Sequence, residues 1–168
     1  MITNEAVEQA CAEVGDYTEE QMATEFERFF KSQPNLCEFI VELTGDSEQR
    51  IQELTLFLSY MVLKAVEKGS PMDVPSLAPE RIEAAFRESE TWIERMNESP
   101  NPETQSSILS GLATDAEPNL LHYVISEINQ PLDDGTQLAD EQKGEVFFVL
   151  KTVITTLSGT SIETKNIQ

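Results

Sequence analysis

Two stretches of the chain are apolar on nearly every side of a helix. Residues 51–66 contain no proline or glycine and few polar side chains after Leu54, and residues 146–157 form a second run of the same kind. A helix that is apolar all round belongs inside a protein or a membrane. Spanning a bilayer takes about 20 mostly apolar residues, and the first run is shorter and includes Lys64. We therefore predict two long core helices that pack against each other.

Shorter amphipathic segments flank these two runs. Apolar residues three and four apart predict helices over 4–14, after Thr18, over 34–43, over 79–97 and over 118–128, with the last long helix over 137–157. Another short helix is predicted from Asn101-Pro102, with Ile108, Leu109 and Leu112 as its apolar residues. No segment shows the alternation of a half-buried strand, so the predicted fold class is all-α.

Local sequence signals predict where these helices begin and end, and which side of a helix faces the core. Thr18 and Gln21 form a capping-box pattern, and Asp46 is positioned to cap the first long helix. Gly159 is the expected end of the last helix, because glycine commonly terminates helices. Aromatic residues on the helix after Thr18 are expected in the core: Phe26, Phe29 and Phe30.

The sequence also contains an internal repeat. Pro34-Asn35-Leu36 recurs as Pro118-Asn119-Leu120, and the segment around Lys64 (VLKAV) recurs around Lys151 (VLKTV). We predict two copies of a four-helix unit, at 1–69 and 79–159, joined by a linker at 70–78 and followed by a frayed tail at 160–168. Packing the two long helices together would give one compact helical bundle, and the alternative is a short HEAT-like stack of helical pairs.

The charge of the chain narrows the classes of partner. Thirty-one acidic residues against 11 basic ones give a formal charge of −20. This disfavours direct binding to nucleic acid, which needs a basic surface, and docking on anionic membranes. The acids form either a solvated surface that keeps the protein soluble, or a face that docks on a basic partner or imitates nucleic acid.

The inventory of reactive side chains does not indicate an enzyme. His122 is the only histidine, and its counterpart in the first copy is Glu38, so we expect it on a polar face instead of in a catalytic site. Cys11 and Cys37 lack the spacing of a redox or zinc motif. The sequence has no phosphate-binding or dinucleotide-binding glycine motif. We expect no catalytic residues, no metal and no cofactor.

Lys64, Lys151 and Trp92 are the remaining candidates for contacts with a ligand or partner, together with His122. The lysines lie amid apolar neighbours, and we expect their stems to follow the core while the ammonium groups reach water or a glutamate. The alternative is a pair of cations facing one pocket that takes an anionic ligand. Trp92 is expected in the core, and an exposed Trp92 would instead mark a partner surface.

Three hypotheses for function follow from these patterns. The first is a non-enzymatic interaction or adaptor module with a protein partner. The second is an acidic inhibitor or nucleic-acid mimic that binds a basic protein, and the third, weaker one is a small-ligand-binding or enzymatic bundle. Because the N-terminus is acidic and carries no apolar signal segment, we expect a cytoplasmic location. The oligomeric state is left open.

Overall fold

The computed structural model describes residues 1–70, 72–98 and 117–166, with side chains for all of these except 96, 97 and 159–166. Every regular element in these ranges is a helix. In chain order they are α1 (Asn4–Gly15), α2 (Glu19–Ser32), α3 (Pro34–Leu43), α4 (Gln49–Gly69), α5 (Pro79–Glu98), α6 (Pro118–Ile128) and α7 (Asp140–Asn166).

The two long helices α4 and α7 pack against each other at the centre of the molecule. Both are buried almost all round in their apolar stretches, as residues 58–66 of α4 illustrate. Helices α1 and α3 cover α4, whereas α5 and α6 cover α7. The arrangement closes on itself, because α1 also contacts α6 and α3 also contacts α5. The all-α class is confirmed and the fold is a helical bundle, while the duplication stays a prediction.

Hydrogen bonds from residues at the start of α3 fix the end of the segment that was predicted as a linker (70–78). The Leu77 N–H donates to Oε1 of Gln33 (3.0 Å), and Nε2 of Gln33 donates to the Pro75 carbonyl (2.9 Å). Nδ2 of Asn35 donates to the Leu77 carbonyl (3.0 Å). Leu77 is 2% exposed and Gln33 is 1% exposed. These side chains form a polar clamp that fixes the chain just before α5.

A second clamp of the same design precedes α6. The Ile2 N–H donates to Oε2 of Glu117 (2.7 Å), and Nδ2 of Asn119 donates to the Ile2 carbonyl (2.9 Å). Glu117 (φ −132°, ψ 63°) has nearly the backbone conformation of Gln33 (φ −130°, ψ 59°). The first clamp therefore holds the segment that leads into α5, and the second holds the segment that leads into α1.

The structure confirms one local expectation and contradicts three. Thr18 and Gln21 make both hydrogen bonds of the capping box (3.1 and 2.8 Å). Asp46 does not cap α4, since the turn continues to an N-cap at Glu48 that makes no side-chain bond. Gly159 lies inside α7, because one glycine weakens a helix without ending it. Phe30 is 43% exposed, because Phe29 takes the place facing the core.

The short helix predicted from Asn101-Pro102, with Ile108, Leu109 and Leu112, lies outside the described residues. The predicted tail at 160–168 is described as far as residue 166, where its backbone continues α7. The proposed boundaries of the two repeats stay predictions.

Replacing Gln33 with alanine should lower the free energy of unfolding by about 1–3 kcal/mol, because the buried Leu77 N–H then lacks an acceptor. Urea denaturation followed by circular dichroism measures the change. Gln9→Ala is the control, since Gln9 is an exposed glutamine whose side chain bonds only to Glu5 on the same helix. Equal losses in the two variants would show that the clamp contributes nothing to stability.

Candidate functional site

A groove of about 370 Å³ lies between α3 and α5. Each helix lines it with four residues at the spacing i, i+3, i+4 and i+7, which places them on one face. The lining residues are Asn35, Glu38, Phe39 and Glu42 of α3, and Pro79, Ile82, Glu83 and Phe86 of α5. The first clamp positions these walls, because Asn35 holds the chain two residues before α5 begins.

The floor of the groove is apolar and its rings are fixed in place. Phe39 and Phe86 meet edge to face, with centroids 5.8 Å apart and planes at 81°. Phe86 makes a second edge-to-face contact, with Phe148 of α7, at 5.3 Å and 78°. Such pairs are favourable because the positive ring edge meets the negative ring face. Ile82, at 3% exposure, joins the floor to the core.

The rim of the groove is acidic, and its two walls differ. Glu38 and Glu42 are exposed on the α3 wall, and across the described ranges no cation pairs with either of them. On the α5 wall, Glu83 binds Arg87 at 2.5 Å. We call this site the acidic groove. It combines apolar surface with two carboxylates that no cation among the described residues pairs with.

A second groove, of about 570 Å³, lies where α4 begins and the loop after α6 passes. Its floor includes Leu54 and Phe57, and carboxylates also surround it. Here Arg50 lies within the lining and is 4.0 Å from Asp134. The Asp134 carboxylate also accepts a hydrogen bond from the Thr136 N–H (2.9 Å), and this bond stabilises the turn. The charges of this groove are thus partly neutralised by the protein itself.

Lys64 lies in a network of ions between α1, α2 and α4. Its Nζ is 3.0 Å from Glu13 and 3.1 Å from Glu25, and it lies 5.8 Å from the centre of the Tyr17 ring. Burial opposes the charge of Glu25, yet hydrogen bonds from Arg28 and Lys64 outweigh it and lower the pKa of Glu25 to about 2. Burial likewise opposes the charge of Lys64, and its bonds to the glutamates raise its pKa. The ammonium group is therefore neutralised by its own chain.

Lys151 and Trp92 form a separate pair. Nζ of Lys151 lies 5.8 Å from the centre of the Trp92 ring, and Trp92 packs against Phe147 at 5.5 Å. Trp92 is half-buried and Lys151 is 4% exposed. Lys151 thus lies against α5, whereas Lys64 is bound by residues of α1 and α2. An anion pocket shared by the two lysines stays a prediction.

His122 is exposed on α6. Its counterpart in the predicted repeat is Glu38, which lines the acidic groove. In the part of the chain that the structure covers, no group of three or more histidine, cysteine, aspartate or glutamate side chains is arranged to hold a metal ion. None of the described helices combines the length and apolarity that crossing a membrane requires.

Sequence reasoning singled out four residues, and the acidic groove contains none of them. The sequence nevertheless shows acidic residues next to the apolar ones of this groove. Glu38 and Glu42 flank Phe39 on α3, and Glu83 lies between Ile82 and Phe86 on α5. Each segment alone is typical of an amphipathic helix with a solvated edge. Only the contact between α3 and α5 places the two edges on one groove.

Comparison of the chain with protein-family models, with curated proteins and with solved structures found no match.

Replacing Glu25 with glutamine should destabilise the protein at neutral pH by about 1–2 kcal/mol, because Lys64 and Arg28 lose a charged acceptor. Folding lowers the pKa of Glu25 from 4.5 to about 2. The stability that its charge contributes is therefore present above the unfolded value and is lost as the pH falls toward the folded one. The difference between wild type and Glu25→Gln should shrink over this interval.

Urea denaturation of both proteins at several pH values measures that difference. Glu27→Gln is the matched control, because Glu27 is exposed on the same helix and no cation pairs with it in the described ranges. A pH-independent difference for Glu25→Gln, or one no larger than that of the control, would contradict the assigned role of the network.

Proposed function

We propose that this protein is a non-enzymatic interaction module that binds a basic segment of a protein partner in the acidic groove. The proposal is carried by Glu38 and Glu42, which lie beside the Phe39 and Phe86 rings and pair with no cation in the ranges that the structure describes. Apolar surface supplies affinity, whereas complementary charge supplies specificity and fast association.

The arrangement supports an adaptor more than a purely electrostatic inhibitor. An inhibitor or nucleic-acid mimic binds through a broad acidic face and needs no apolar floor, so its binding falls steeply with salt. In the acidic groove the floor is built from two phenyl rings, and Ile82 continues it to the core. Binding to this site should therefore survive salt in part.

Catalysis is the least supported alternative. The candidate general base His122 is exposed on α6, and Lys64 is held by two glutamates of its own chain. A cytoplasmic location is part of the proposal. It rests on the acidic N-terminal stretch, which has no apolar signal segment.

The test is capture of partners from a lysate of the source organism on the immobilised protein, at about 50 and 500 mM salt, across which screening increases several-fold. Wild type should retain a specific basic protein at both salt concentrations, with less at the higher one. The double variant Glu38→Gln/Glu42→Gln should lose most of it at the lower salt concentration, because it removes the two carboxylates of the rim. At the higher concentration its difference from wild type should narrow, because the charges are screened and the apolar floor is unchanged.

The matched control is Glu20→Gln/Glu27→Gln. It changes the net charge by the same amount on α2, away from the acidic groove, and both of its glutamates are exposed. Equal loss in the two double variants, or loss of all binding at high salt, would favour the electrostatic inhibitor and refute the proposal.

A further inference from the structure

The acidic groove has the length and the chemistry of a site for one short helix. Its α3 wall runs from Asn35 to Glu42 and its α5 wall from Pro79 to Phe86. Seven residues of helix rise about 10 Å, so each wall is about two turns long. Two rows of side chains with an apolar floor between them resemble the groove into which an amphipathic helix lays its apolar face.

The hydrogen bonding of the walls disfavours an extended segment as the occupant. Both walls are helices, which present no row of open N–H and C=O groups of the kind that a sheet edge offers to an added strand. The Asn35 amide is already used by the Leu77 carbonyl. An extended peptide would therefore place its backbone N–H and C=O groups over Phe39 and Phe86 without partners there. A helix satisfies these groups itself.

The charges of the two walls give the occupant an orientation. Glu38 and Glu42, for which the described residues supply no cation, are one turn apart on the α3 wall. On the α5 wall, the Glu83 charge is balanced by Arg87. A partner with cations on the flank that faces α3 gains attraction to Glu38 and Glu42. Cations on its other flank would lie on the side of Arg87 and would be repelled by it.

We propose that the acidic groove binds an amphipathic helix of at least two turns whose lysines or arginines lie along one flank. This inference rests on the proposed function. Apolar side chains at i, i+3 or i+4, and i+7 contact the floor formed by Phe39, Ile82 and Phe86. The basic flank lies along α3 and pairs with Glu38 and Glu42.

The probe is a synthetic capped peptide of about 18 residues, long enough to populate a helix, with leucines at the spacing above and lysines on one flank only. One control peptide carries glutamates in place of the lysines, and a second has a central proline that breaks the helix. Fluorescence anisotropy measures binding at about 150 mM salt, where exposed charges beyond about 8 Å are screened. Amide chemical shifts of the isotope-labelled full chain locate the peptide.

The lysine peptide should bind at least tenfold more tightly than either control peptide, and the largest amide shifts should fall on residues of the acidic groove. Glu38→Gln/Glu42→Gln should weaken binding about five- to tenfold, the effect of two rim ion pairs. Glu20→Gln/Glu27→Gln should change it less than about twofold, because it alters charge only at long range.

Three results would overturn the inference: equal binding of the proline-containing peptide, equal weakening by the two double variants, or shifts that fall away from Phe39, Ile82 and Phe86. Failure of this inference is distinct from failure of the proposed function. If Glu38→Gln/Glu42→Gln abolishes partner capture but the lysine helix neither binds nor competes with that partner, the function stands and the helical occupant is wrong. If capture is unaffected by Glu38→Gln/Glu42→Gln, the function itself is wrong.

Discussion

The contact between α4 and α7 is the constraint on which the rest of the structure depends. Neither helix has a polar face wide enough for solvent, so each must be covered on nearly all sides. Each covers part of the other, and the remaining faces need shorter helices. Those helices are amphipathic, since they have one side on the core and one in water. The α3–α5 contact, and with it the acidic groove, arises from this need to cover two central helices.

The two clamps join covering helices to segments that are distant in the sequence. Burial of Leu77 and Ile2 removes their backbone groups from water, and each unsatisfied group would cost about 1–3 kcal/mol. Gln33 and Asn35 bond the N–H and C=O groups of Leu77. Glu117 and Asn119 bond those of Ile2. The first clamp thereby ties the start of α3 to the approach to α5, and the second ties the start of α6 to the approach to α1.

Periodicity alone predicted the helices well, because core-facing residues recur every three or four positions whatever their partners are. The capping box at Thr18 is equally local, and it was predictable for the same reason. The clamps and the acidic groove were not, because they join residues about 40 to 115 positions apart. Phe30 shows the limit within one helix: adjacent aromatics compete for the core, and the sequence does not show that Phe29 takes it.

Two sets of glutamates that lie beside apolar surface differ in whether the described part of the fold supplies them with cations. Glu13 and Glu25 lie beside apolar surface, and the fold supplies Lys64 to both and Arg28 to Glu25. Glu38 and Glu42 lie beside apolar surface as well, but within the described ranges the fold supplies them with no cation. A chain that stabilised only itself would gain by pairing or spacing such charges, because like charges one turn apart repel. We propose that a partner supplies the cations for Glu38 and Glu42, because both carboxylates border the apolar floor of the acidic groove.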